Sequence, residues 1–288
     1  MEVYQDIKRG EKGAWVSIGA YVFLSLLKIS VGYEASSEAL IADGFNNGTD
    51  ILVSIAVLVG LFISRKPPDS DHRYGHFRAQ TIAQLIASFI MIFVGVEVLI
   101  QAVQSMITPK TSSPDLMAGW TALFCAAFMY GIYRYNLSLA KRINNQALMA
   151  AAKDNRSDAF VSLGAFVGIL GAQLQLPWLD TVAAFGVGVI ICKTGWEISY
   201  EATHHLTDGF DEKELTEYER TISRVGGVHE VKEVRARKHG NVVLLDVTIA
   251  VDSKLNVVES HTITEEIESV MNDHYGIPHV FVHIEPHH

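Results

Sequence analysis

The chain has 288 residues, 49% of them hydrophobic and only 19% charged, with a net charge of −9 at pH 7 and a mean hydropathy of +0.21. A charged fraction below the usual quarter, joined to a positive mean hydropathy, excludes an ordinary soluble enzyme and a disordered chain. The acidic balance excludes a basic nucleic-acid binder, and the two cysteines, Cys125 and Cys192, exclude a disulfide scaffold and a Cys-rich zinc site.

A helix needs about 20 mostly apolar residues to cross a bilayer. Six stretches have that length: residues 14–33, 38–64, 80–107, 116–137, 146–172 and 178–200. Residues 1–13 contain no apolar core, so the first stretch reads as a span and not as a cleaved signal peptide. Trp15, Trp120, Trp178 and Trp196 fall near span ends, where amphipathic rings prefer the interface. Lys8, Arg9 and Lys12 precede the first span, Arg65, Lys66, Arg73 and Arg78 follow the second, and Lys141 and Arg142 follow the fourth; the alternate loops hold only Lys110. This bias predicts a multi-pass protein of the cell membrane with both termini in the cytoplasm.

The character of the chain then changes. Residues 1–205 hold 15 Lys and Arg against 16 Asp and Glu, a net charge of −1; residues 206–288 hold 8 against 16, a net charge of −8. The expected division is a membrane part, 1–205, and an acidic soluble tail, 206–288. In the tail, 211–224 reads as a surface helix, 228–238 and 242–251 as strands joined by a hairpin at His239, Gly240 and Asn241, 256–274 as a helix and 279–285 as a strand. The order α-β-β-α-β predicts a small two-layer α+β domain with one core. Neither a glycine-rich phosphate loop nor a nucleophile constellation is present, so no enzyme is expected.

Ionisable residues inside a span are costly, and each is a candidate for function. The second span contains ADGFNNGTD, in which Asn46 and Asp50 lie four apart on one helix face; the fifth opens ALMAAAKDNRSD, in which Asp154 and Asp158 do the same. Two packed helices that each offer an i, i+4 pair of oxygen ligands build one four-coordinate site. An amide oxygen and three carboxylates suit a hard cation, Mn2+, Mg2+ or Ca2+, over zinc or copper. The plainer alternative is that these acids, with Asp43, are solvated at helix ends, where acidic groups are favoured at N-termini. Lys28 and Glu97, also inside spans, either pair with each other or snorkel to the interface.

Six spans, an acidic α+β tail, ADGFNNGTD in span two and DNRSD in span five together resemble the cation diffusion facilitators, over essentially the whole chain. The resemblance implies an all-α six-helix transmembrane domain followed by a small cytoplasmic α+β domain, ferredoxin-like and metallochaperone-like. It implies a homodimer embedded in membrane lipid, with a transport site formed by Asn46, Asp50, Asp154 and Asp158. Zinc-carrying members usually place a His among these four; the set here resembles the bacterial manganese-exporting branch, so Mn2+ is the expected cargo. Asp69, His72 and His76, in the loop RKPPDSDHRYGHFRAQ, fall where some members bind a second zinc; alternatively the loop is solvated and its turn only shapes the start of span three. In the tail, His229, Asp246, His261, His283 and Glu285 match positions where the family binds regulatory metal, here Mn2+ or Zn2+, with Asp246 standing where zinc members often have His. Their alternative is to be scattered surface side chains. Ten of the twelve histidines lie at or beyond position 204, and none lies inside a predicted span.

The expected function is divalent-cation efflux by alternating access, Mn2+ leaving the cytoplasm in exchange for protons. Three carboxylates crowded in a low-dielectric site hold a proton when no cation is bound, so metal and proton compete for the same oxygens. The same fold carrying Zn2+ or Fe2+ is one alternative. A membrane-anchored metal sensor, whose spans serve only as anchors, is another.

Overall fold

The computed structural model describes residues 2–35, 38–107, 115–174 and 178–287, and the chain falls into two compact units, Met1–Ala202 and Thr203–His288. The first unit is helical. Apolar runs without proline satisfy their own backbone polar groups as helices, and among the described residues six helices make up this unit. They are α1 (Glu2–Glu34), α2 (Glu38–Ser64), α3 (Ala79–Ile107), α4 (Leu116–Arg142), α5 (Gln146–Gln173) and α6 (Trp178–Leu206). Among the described residues, α1, α2, α3 and α4 are long and apolar enough to cross a membrane.

α5 and α6 are as long, at 28 and 29 residues, but α5 carries Lys153, Asp154, Arg156 and Asp158 close together. Its surroundings explain how it keeps them. α5 packs against α1, α2, α3 and α4, and Ala151, Ala152, Asp154, Asn155, Ser157, Asp158 and Ala159 are all buried. Small side chains let the neighbours approach, and a helix enclosed by protein bears charges that lipid would expel. Local signals start it: Asn144 takes a positive φ of 47°, which asparagine tolerates, and the Asn145 side chain accepts the backbone N–H of Leu148 at 2.8 Å. The Asn145 amide also donates to Gln80 on α3 at 2.9 Å, tying the turn to the bundle.

α1 and α2 approach closely at Gly44. A β-carbon there would lie 2.7 Å from Cγ1 of Ile29 and 3.1 Å from Cβ of Lys28, so glycine is what permits this contact. It brings Asp43 of α2 against Lys28 of α1.

The second unit contains α7 (Glu212–Ile222), β1 (Glu230–His239), β2 (Val242–Asp252), α8 (Val257–Tyr275) and β3 (His279–His287). The sheet order is β1-β2-β3, with β1 antiparallel and β3 parallel to β2. Gly240, at φ 61°, makes the tight hairpin turn, and α8 crosses over between the parallel strands. Tyr218 and Ile222 of α7, Leu245, Val247 and Ile249 of β2, and Ile263, Ile267 and Met271 of α8 form one core. Asp211 caps α7, Asn256 and Glu259 form a reciprocal capping box on α8, and Gly276 ends α8 at φ 66°. The α-β-β-α-β order read from periodicity is the order found.

Candidate metal centre

α2 and α5 pack together, and where they meet, Asp50, Asp154 and Asp158 converge. One oxygen from each lies within 4.8 Å of the other two, and all three residues are buried. Asp154 and Asp158 stack one turn apart on α5; Asp50 comes from α2. Asn46 is half-buried one turn before Asp50, on the same helix face. Three carboxylates this close in a low-dielectric setting repel one another unless a cation or proton lies among them.

A polar shell surrounds the cluster that the sequence reading did not find. Tyr21 on α1 is fully buried; its hydroxyl donates to Asp158 and lies 3.3 Å from Oδ2 of Asp154. Nδ2 of Asn155 donates to the Tyr21 oxygen at 2.8 Å, while Oδ1 of Asn155 accepts from Nδ2 of Asn136 on α4 at 2.8 Å and from Ser17 at 3.3 Å. On the α2 side, Nδ2 of Asn47 donates to Oδ2 of Asp50 at 3.0 Å.

Lys28 completes this shell. Its ammonium donates to Asp43 at 2.8 Å, to Oδ1 of Asn47 at 2.7 Å and to Ser162 at 3.0 Å, which uses all three of its donors. Lys28 is 1% and Asp43 6% exposed. Lys28 therefore neither pairs with Glu97 nor snorkels; Glu97 is exposed beside Gln101 at 3.4 Å. The reason is packing: α1 lies against α2, α4 and α5, so a cation on its inner face meets the acid of α2. Asp43 is likewise a buried partner and not a solvated helix end. One signal for this shell is in the sequence: Ser17, Tyr21, Ser25 and Lys28 recur at helical spacing through an apolar run.

Asp69, His72 and His76 also come together, with one ligand atom each inside 4.8 Å. Oδ1 of Asp69 accepts the backbone N–H of His72 at 2.7 Å and of Asp71 at 3.0 Å, and these bonds, the first above all, hold its carboxyl below the usual carboxylate range. Nδ1 of His72 lies 3.3 Å from Oδ1 of Asp69 and Nε2 of His76 3.6 Å from Oδ2, with the two rings 4.3 Å apart. Asp69 and His72 are exposed and His76 is half-buried.

The five tail positions are not gathered within one chain; among the described residues, groups of three potential ligands occur only at the two places above. His261 sits on α8 beside Glu265 at 3.5 Å, Asp246 faces Arg237 at 3.8 Å, and His283 lies 4.0 Å from Glu285. Glu285 accepts from Lys232, which holds its carboxyl below the usual range. His229 stacks on His287 at 5.0 Å. His261 belongs to the helical layer and Asp246, His283 and Glu285 to the strands, which separates them.

Residues 14–207 match the cation efflux transmembrane domain, and residues 210–287 match the cytoplasmic domain of cation efflux proteins. The manganese efflux system protein MneS of Bacillus subtilis is 54% identical over 286 residues, covering 99% of each chain. MneP of the same organism, also a manganese efflux system protein, is 32% identical over 284 residues, covering 96% of this chain and 95% of its own. The magnetosome protein MamB of Magnetospira sp. is 30% identical over 272 residues, covering 91% and 92%.

Proposed function

The chain belongs to the cation efflux family, a family of transporters and not of enzymes, and from that premise we propose that it exports Mn2+ from the cell in exchange for protons. The observation that supports this most is the buried cluster of Asp50, Asp154 and Asp158, with Asn46 on the same face of α2. Mn2+ sheds water as the three carboxylates and the Asn46 amide replace it with fixed oxygens. The ligands are hard, as Mn2+ prefers, and contain no imidazole or thiolate. When the ion leaves, the crowded carboxylates take up protons, so each transport cycle exchanges one cargo for the other. Alternating access then presents the same site to either side of the membrane.

In this reading all six helices of the first unit cross the membrane, with both termini in the cytoplasm. The protein is a homodimer, and His229, Asp246, His261, His283 and Glu285 meet their counterparts from a second copy around regulatory Mn2+ or Zn2+. The tail's net charge of −8 raises the local cation concentration near it. Asp69, His72 and His76 hold a further cation, their imidazole-rich set favouring Zn2+.

Growth on high manganese of cells lacking their own exporter tests the proposal. The unaltered chain confers tolerance; Asp50→Ala and Asp158→Ala, expressed at the same level, abolish it. Tolerance undiminished in either variant refutes transport through this cluster and favours a protein whose spans only anchor a metal-sensing tail.

A further inference from the structure

α1 contributes none of the four proposed ligands, yet it touches the cluster directly. The orientation of the Tyr21 hydroxyl follows from donor and acceptor arithmetic. Oδ1 of Asn155 accepts from Asn136 at 2.8 Å and from Ser17 at 3.3 Å. Nδ2 of Asn155 faces Tyr21 and donates to its oxygen at 2.8 Å. A phenol has one proton, and with its oxygen already accepting, that proton is directed at the carboxylates. Asp158 accepts it, and Oδ2 of Asp154 lies within reach at 3.3 Å. Asp158 is thus held through Oδ2, with Oδ2 of Asp154 beside the same hydroxyl, as Asp50 is held through its own Oδ2 by Asn47. A carboxylate that accepts a hydrogen bond through one oxygen keeps the other for a cation.

Resting on the transport-site reading above, we infer that Tyr21 is a positioning residue: it holds Asp154 and Asp158 in the arrangement that receives the cation, and Asn155 acts through it. Outer-shell partners of this kind tune affinity without touching the metal, and their loss costs roughly 10- to 100-fold in metal affinity. Tyr21→Phe keeps the buried ring and removes only the hydroxyl.

The test uses the full chain in proteoliposomes, measuring Mn2+ uptake against concentration for the unaltered protein, Tyr21→Phe, Asn155→Leu, the double variant and Asp158→Ala, with melting followed in detergent. The expected result for Tyr21→Phe is a rise in KM for Mn2+ of about 10-fold or more, with Vmax close to that of the unaltered chain. The effect of Asn155→Leu on KM disappears in the Tyr21→Phe background, because the two act in series. An unchanged KM overturns the inference. So does a fall in Vmax and melting temperature with KM unchanged, the mark of a purely structural hydroxyl. If the unaltered chain carries no Mn2+, or Asp158→Ala carries it normally, the transport-site reading itself fails and takes this inference with it.

Discussion

Lys28→Met is the substitution whose consequence follows most directly from the structure. Methionine fills a similar volume but strands Asp43, buried at 6% exposure, without its 2.8 Å partner, and leaves Asn47 and Ser162 without their donor. Removing one member of a buried ion pair costs about 3–5 kcal/mol, because the other charge stays desolvated. For a unit of this size each kcal/mol lowers the melting temperature by roughly 2–4 °C, so a fall of about 6 to 20 °C is expected. All four tryptophans lie between positions 15 and 196, so tryptophan fluorescence in detergent reports on the helical unit. The Ser162 hydroxyl also donates to Asp43 at 3.2 Å, so adding Asp43→Asn removes the stranded charge while keeping an acceptor for Ser162, and most of the lost stability returns. If Lys28→Met melts as the unaltered chain does, or the double variant is no more stable than the single, charge pairing is not what Lys28 supplies.

Other outcomes are equally checkable. Gly44→Ala pushes a methyl into Ile29 and the Lys28 stem, and at a cost of about 1–3 kcal/mol it lowers the same fluorescence melting temperature. Ile267→Ala empties a fully buried position in the core of the second unit; a loss of about 2–5 kcal/mol speeds amide hydrogen exchange in β1, β2 and α8 while leaving α1 to α5 protected. Glu285 has its carboxyl held low by Lys232, so the pair's contribution is complete above the ordinary carboxylate value of about 4.3 and fades as the pH falls through the lowered folded value. Carboxyl-carbon NMR records that midpoint, and Lys232→Met moves it back up; a midpoint unmoved by the substitution contradicts the assignment.

The second unit was legible almost element by element because its signals are local. Period-two runs flank Gly240, and 256–274 has helical spacing, so each element is written within its own residues. The first unit was legible in its apolar runs but not in its helix limits. α1 starts at Glu2, well before the apolar stretch at residue 14, since hydropathy marks what lipid covers and not what is helical. Asp50, Asp154 and Asp158 stood out because each interrupts an apolar run. Tyr21, Asn47, Asn155 and the true partner of Lys28 did not, because spacing tells which face a side chain occupies and not which neighbour that face meets. Tyr21 is 133 residues from Asp154 and 137 from Asp158. The tail positions were legible only as a resemblance, and one chain alone leaves them apart.

Transport in proteoliposomes under an imposed pH gradient tests the central proposal most directly, with Mn2+, Zn2+, Fe2+ and Co2+ offered in turn to the unaltered chain and to Asp50→Ala. The prediction is Mn2+ flux driven by the gradient, accompanied by proton flux in the opposite direction and abolished by Asp50→Ala. Mn2+ flux indifferent to both the gradient and the substitution, or Zn2+ carried in preference to Mn2+, would contradict it.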